Sequence, residues 1–227
     1  MGYYSSMILL VPAIILTFYA QFKVNAAYRR YSGIANSKGI TGRQAAEIIL
    51  SKNGMQSMPI NHVSGNLTDN YNPRTKSLNL SAGVYNSPSI AAIGIAAHEC
   101  GHAIQDNTGY GLLKFRNTIV PLVNLCSNLS WPILIIGLIL GYANATKLGI
   151  LLFCGVILFH LVTLPVELDA SRRAIKLLQE YGIVTNDSDI SGAKSVLNAA
   201  ALTYVAALAS AVANLLRMIA ISKSSRR

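Results

Sequence analysis

Residues 89–107 read SIAAIGIAAHECGHAIQDN, and this stretch decides the fold. Alanine, isoleucine and glycine fill most of it, so it reads as a helix buried on most of its sides. Ser87-Pro88, just ahead, has the form of an N-cap followed by proline at the first helical position. Inside the helix, His98-Glu99-Cys100-Gly101-His102 is an HExxH motif. Residues four apart share one helix face, so both histidines can reach one metal ion. Glu99 lies about 100° round the helix, where a carboxylate can take a proton from a metal-activated water. Two imidazoles, a base and an open coordination position are the donors of a hydrolytic zinc site. The expected cofactor is one Zn²⁺ per chain.

Working outward, the rest of the chain is strongly apolar. It has 227 residues, 52% of them hydrophobic and only 12% charged, where soluble domains carry about 25% charged. That balance excludes a disordered chain, a coiled coil and a disulfide scaffold. It also argues against an ordinary soluble enzyme, because the chain is too short to hide so much apolar surface in one core. The net charge of +10 suits lysine and arginine gathered at the cytoplasmic ends of membrane spans. No recognition motif points to nucleic acid. Three cysteines, Cys100, Cys126 and Cys154, form no disulfide framework and read as buried thiols.

Residues 5–22, 119–141 and 148–164 are apolar segments of about the length that crosses about 30 Å of hydrocarbon. Residues 197–221 are a fourth candidate, Ala-rich and able either to span or to pack half-buried. Pro121 and Pro132 are expected to kink the second segment. Residues 23–117 hold ten lysines and arginines and 165–196 hold four, against one, Lys147, between the second and third spans. The positive-inside rule therefore places both polar segments in the cytoplasm and the N-terminus outside. The basic tail, Arg217, Lys223, Arg226 and Arg227, opposes a full fourth crossing.

The polar segment 23–117 has the texture of a small α+β region. Thr41-Gly-Arg-Gln44 matches a capping box, and its helix should stop at Gly54. Residues 58–64 and 76–85 read as strands, and Asn72-Pro73-Arg74-Thr75 as a turn. Pro165 is expected to start a further helix closed by Gly182, with 185–192 as a polar link to the last apolar helix. The whole reads as a single, mainly α-helical integral-membrane domain. It has three or four transmembrane helices and a small α+β catalytic region.

The zinc needs a third protein ligand. Glu167 and Asp169 are the acids placed for it, where the chain leaves the third span and returns to the membrane face from which the second departed. They lie about 200° apart on a helix, so only one of them binds. Glu167 is the first choice and Asp169 the next. His160 reads as a histidine packed between helices, and His62 and Asp106 as structural residues.

Several stretches together carry a family resemblance. They are Gly39–Gly42, Gly65–Arg74, Leu78–Ser81, Ser89–Ala92, Ala96–Gln105, Pro165–Ser171 and Ala199–Tyr204. Over nearly its whole length the chain resembles the bacterial neutral zinc membrane metallopeptidases of the YugP type. It is also similar to the wider gluzincins of the HtpX and CAAX-prenyl-protease types. That resemblance implies Glu167 as the third ligand and a gluzincin-like catalytic region. It also implies an acid four residues later, where this chain has Ser171, with Asp169 displaced to two residues later. Ser171 and Asp169 are therefore the expected supports of the ligands. The resemblance further implies that Leu78, Asn79, Leu80, Ser81 and Ala82 bind substrate as an added strand. Tyr204 is the candidate oxyanion donor.

The reading is thus a zinc endopeptidase of a bacterial cell membrane, with its site facing the cytoplasm. Its partners are the lipid bilayer and a polypeptide substrate that could itself be a membrane protein; oligomeric state is not legible. A zinc-stabilised scaffold and a zinc hydrolase acting on a non-protein substrate are the alternatives. Glu99 weighs against the scaffold, which has no use for a base.

Overall fold

The computed structural model describes residues 6–224. Ser5, at the start of the first apolar segment, and the tail residues Arg226 and Arg227 lie outside the described residues. A 3₁₀ turn, Ile8–Leu10, leads into α1 (Val11–Ser32). Then come α2 (Gly42–Lys52), β1 (Ile60–Val63), β2 (Asn70–Asn72), β3 (Ser77–Ser81) and the single-turn α3 (Ala82–Tyr85). The motif helix α4 (Ile90–Asn107) follows, then α5 (Gly111–Ile139), α6 (Ala143–Glu180) and α7 (Asp187–Ser224). The fold is mainly helical with one small sheet. Four helices, Ile8–Ser32, Gly111–Ile139, Ala143–Glu180 and Asp187–Ser224, are long and apolar enough to cross a membrane.

The chain divides into two compact units. One comprises residues up to 21, 114–165 and 202 onward; the other comprises 22–113 and 166–201. The first is a bundle of membrane-type helices. Leu134, Phe153 and Met218 form its buried cluster. A Cβ on Gly149 would stand 2.7 Å from the Ser130 carbonyl and 2.8 Å from the Leu134 nitrogen, so α5 and α6 approach backbone to backbone. Such small-residue contacts hold helices together where lipid removes the hydrophobic drive. The Thr17 and Ser210 hydroxyls pair at 3.2 Å, and the Arg217 guanidinium lies over the Trp131 ring at 5.4 Å. Ile15, Phe18, Leu122, Leu151 and Leu158 point outward, as a bilayer-facing surface requires.

The second unit carries the sheet and α4. Its core joins Ala45, Ala46, Ile49 and Leu50 of α2 to Leu78 and Leu80 of β3 and to Ile93, Ala96, Ala97 and Cys100 of α4. Ala174, Leu177 and Leu178 of α6 and Ala193 and Leu197 of α7 complete it. The capping box at α2 is reciprocal: Thr41 Oγ1 accepts from the Gln44 N–H, and Gln44 Oε1 accepts from the Thr41 N–H. Gly54 sits at φ +73° just past the helix, the left-handed turn that glycine adopts without strain.

The sheet order is β1-β3-β2. β1 runs parallel to β3, from Ile60 opposite Leu78 to Val63 opposite Ser81. β2 runs antiparallel, from Asn70 opposite Asn79 to Asn72 opposite Ser77. Leu78 and Leu80 face the core while Asn61, Asn79 and Asn70 bond to one another across the other face.

Several local expectations are corrected. The helix α4 begins two residues later than Ser87-Pro88 suggests: Ser89 is its N-cap, and its hydroxyl accepts from the Ala92 N–H at 3.1 Å. The strand expected to run to Tyr85 ends at Ser81, and Ala82–Tyr85 turn into a helix. Pro165 does not start a helix; α6 passes through it. Likewise α7 begins at Asp187, inside the expected polar link, with Asp187 and Asp189 in its first turn, where they complement the helix dipole. Pro121 and Pro132 both lie within α5.

Candidate metal centre

His98 and His102 stand one turn apart on α4, their rings edge to face with centroids 4.8 Å apart. Glu167 comes from α6. Its Oε2 lies 3.3 Å from His98 Nε2 and 3.4 Å from His102 Nε2. One ligand atom from each of the three residues falls within 4.8 Å of the others. Glu167 is 4% exposed and His102 8%. Two imidazole nitrogens and one carboxylate oxygen, convergent and, apart from the half-buried His98, buried, fit a zinc ion and leave a fourth position for water or substrate.

A glycine explains why α6 can come this close. A Cβ on Gly101 would lie 2.8 Å from the Ala170 carbonyl oxygen and 3.2 Å from its Cα. The backbones of α4 and α6 therefore touch between the two histidines, and Glu167, three residues before Ala170, falls opposite them. Asp169 is turned away from the cluster. Its Oδ2 accepts from Arg173 Nε at 2.6 Å and from Gln105 Nε2 at 2.9 Å.

The histidine nitrogens facing away from the cluster are all engaged. His98 Nδ1 pairs with the Ser171 hydroxyl at 3.1 Å, and His102 Nδ1 pairs with Gln105 Oε1 at 3.0 Å. Gln105 Nε2 also donates to the Val166 carbonyl at 2.9 Å. Burial works against protonation of His102. The hydrogen bond to Glu167 and the charges of Glu99 and Glu167 outweigh it and hold the imidazole pKa above its ordinary value.

Glu99 is buried, and its Oε2 accepts the backbone N–H of Tyr71 at 2.9 Å. The Tyr71 hydroxyl donates to Asp106 Oδ2 at 2.6 Å, where Lys76 also pairs. Burial, then the bond to Asp106 and its charge, push the Tyr71 phenol up. Cys100, at the centre of the motif, is fully buried, and burial followed by the Glu99 charge pushes its thiol up. It is packing, not chemistry. His62 on β1 stacks with Tyr85 at 5.1 Å, and His160 lies against Phe159 in the membrane-helix unit.

The strand expectation needs correction. Leu78, Asn79, Leu80 and Ser81 lie in the central strand of the sheet, flanked by β1 and β2, and Ala82 opens α3. Where β2 ends, Asp69 closes the remaining edge: its carboxylate accepts the Ser81 N–H at 2.7 Å and the Ser81 hydroxyl at 2.9 Å. A peptide adds to an exposed sheet edge, and these residues have none to offer. Tyr204 belongs to the membrane-helix unit.

Motif reading missed Gln105 and Tyr71. The signal for Gln105 was available, as an amide side chain at the end of a helix otherwise rich in Ala, Ile and Gly. For Tyr71 no signal existed, since the contact is made by its backbone.

Comparison with known proteins agrees with the donor set. Residues 6–223 match the family described as "putative neutral zinc metallopeptidase". The chain is 42% identical over 218 residues, 96% of each chain, to the "putative membrane protease YugP" of Bacillus subtilis (strain 168). No solved structure matches. A family match over almost the whole chain, around two histidines and a glutamate placed for one metal ion, makes this an integral-membrane zinc protein that belongs to the neutral zinc metallopeptidase family.

Proposed function

We propose that the chain is a zinc-dependent endopeptidase that hydrolyses peptide bonds at the cytoplasmic face of a bacterial cell membrane. The observation that carries the reading is a buried carboxylate, Glu99, next in sequence to His98 in the donor cluster and held there by the Tyr71 amide. A purely structural site gains nothing from such a base and closes with a fourth ligand. The family and the relative's printed name, a membrane protease, support the same class of reaction.

His98, His102 and Glu167 would hold the ion. A bound zinc supplies Lewis acidity toward a carbonyl and an acidified water. Glu99 takes the proton of the attacking water and passes it to the leaving amine, the ordinary work of a positioned carboxylate. Ser171 and Gln105 hold the outer nitrogens of the two histidines. An extended polypeptide would add to the outer edge of β2, whose Tyr71 amide already stands at Glu99. Main-chain pairing of this kind gives affinity without demanding a particular sequence. The cytoplasmic placement rests on the ten basic residues of 23–117 and the positive-inside rule.

The test is Glu99→Gln in detergent-solubilised protein, offered a mixed peptide library with cleavage read by mass spectrometry. The variant should keep its zinc and lose cleavage by a factor of about 10² or more. Undiminished cleavage by the variant would sink the assignment, and lipid hydrolysis without peptide cleavage by wild type would move the substrate class.

A further inference from the structure

We propose that Gln105 is the positioning residue of the metal centre, setting the orientation and tautomer of His102 and tying it to the helix that carries Glu167. The inference rests on the reading of His102 as a zinc ligand.

The geometry comes first. Gln105 is 0% exposed, and of the largest fully buried side chains among the described residues it alone carries nitrogen and oxygen. A buried amide is costly unless every polar atom finds a partner, so an apolar residue of its size would fill this space more cheaply. Its partners decide which way it faces. The Val166 carbonyl and Asp169 Oδ2 can only accept, and both lie 2.9 Å from Gln105 Nε2. They occupy the two N–H bonds of the amide. The oxygen, Oε1, is then the atom left for His102 Nδ1, 3.0 Å away. An oxygen with no proton requires the ring nitrogen to donate, so Nδ1 carries the hydrogen and Nε2 keeps its lone pair. Nε2 is the atom that faces Glu167 Oε2 at 3.4 Å.

The same amide reaches both halves of the centre. It sits three residues after His102 on α4, and it bonds to the carbonyl of Val166, the residue before Glu167 on α6. Asp169 carries the chain of contacts outward to Arg173 at 2.6 Å, whose guanidinium lies 5.9 Å from the Tyr110 ring centroid. Asp169 thus holds Gln105, and Gln105 holds the ligand. Partners of this outer kind change metal affinity by about 10- to 100-fold when removed.

The test uses the full chain in detergent and two readouts that do not need substrate. These are the zinc dissociation constant by chelator competition, and the visible spectrum of the cobalt(II)-loaded protein. Gln105→Met should weaken zinc by about 10- to 100-fold and shift the cobalt bands. Gln105→Glu sets a second carboxylate against Asp169 and should weaken zinc as well. In the exchange Gln105→Glu/Asp169→Asn one carboxylate oxygen still accepts from His102 and an amide donor stands behind the other, with only the Val166 carbonyl left without its donor, so part of that loss should be recovered. A filler residue would show no such rescue. Zinc affinity within about twofold of wild type in Gln105→Met, beside a His102→Ala control that loses zinc, overturns the proposal. So does a double variant no better than Gln105→Glu, and that comparison stands alone if Gln105→Met does not fold. Zinc retained in His102→Ala removes the ligand reading itself and the proposal with it.

Discussion

Adding one methyl group at Gly101 should separate zinc binding from folding. In a helix interior, glycine to alanine stabilises by about 0.5–1 kcal/mol. At Gly101 the new Cβ would stand 2.8 Å from the Ala170 carbonyl oxygen, about 0.6 Å inside ordinary contact at 3.4 Å. The obstacle is backbone, so a rotamer change cannot relieve it. Overpacking of this kind costs about 1–3 kcal/mol, and the net change in folding stability is a loss of roughly 0–2.5 kcal/mol. The metal centre is less forgiving. Glu167 rides on the displaced helix three residues from Ala170, and metal–ligand distances tolerate about 0.2 Å. A shift of about three times that should weaken zinc about 10- to 100-fold, an outer-contact magnitude. Gly94→Ala is the control on the same helix. There the added Cβ meets Ala193 Cβ at 3.5 Å, an ordinary contact, so helix propensity should act alone and zinc should be unchanged. The assay is chelator competition for zinc beside thermal unfolding of the metal-free protein. Wild-type zinc affinity in Gly101→Ala, or equal losses in both variants, would refute the claim that the α4–α6 contact sets the centre.

Three further expectations follow from the geometry. Zinc binds neutral imidazole, so affinity should fall as pH drops through the titration of His102, which lies above the ordinary 6.5; the metal-free protein behaves oppositely, its imidazolium–carboxylate contact being fully formed below 6.5 and lost as pH rises through the raised value. Zinc affinity flat between about pH 5.5 and pH 8 would contradict this. Asp69→Ala leaves the buried Ser81 N–H and hydroxyl without their acceptor and should lower unfolding stability by about 1–3 kcal/mol, read as a lower melting temperature; an unchanged melting temperature would show that the strand end needs no clamp. With the N-terminus outside, as the positive-inside rule places it, crossing by all four apolar helices returns the C-terminus to the outside, so a C-terminal tag should be cleaved by protease in right-side-out spheroplasts and protected in sealed inverted vesicles; the reverse would overturn either the four crossings or that orientation.

The chemistry was more legible in the sequence than the topology. Fixed helical spacing brings His98 and His102 to one face, and the Thr41–Gln44 box is local to four residues. Such features need no knowledge of the rest of the chain. Glu167 could be nominated because so few acids exist, yet its separation from Asp169 depends on Gln105 and Arg173 taking the second carboxylate. β2 was not legible at all. It is three polar residues, Asn70–Asn72, with no alternation to read, and it becomes a strand only because β3 offers an edge. Its presence turned β3 from a supposed edge into the centre of the sheet. Pro165 misled for a different reason. Proline forfeits one helical hydrogen bond and disfavours the helix interior, but membrane-type helices tolerate it where neighbours re-satisfy the freed groups.

The bond from the Tyr71 amide to Glu99 makes this carboxylate visible to a spectroscopist without altering it. An edge-strand amide facing solvent exchanges its hydrogen readily; this one is held by a buried carboxylate. Its exchange rate and nitrogen chemical shift therefore report the charge on Glu99. Carboxylate protonation weakens the acceptor, and a peptide pairing with β2 competes for the same hydrogen. Labelling tyrosine alone with nitrogen-15 would give at most eleven backbone signals, of which the one at residue 71 is a built-in meter of the Glu99 carboxylate, readable in micelles and before any substrate is known.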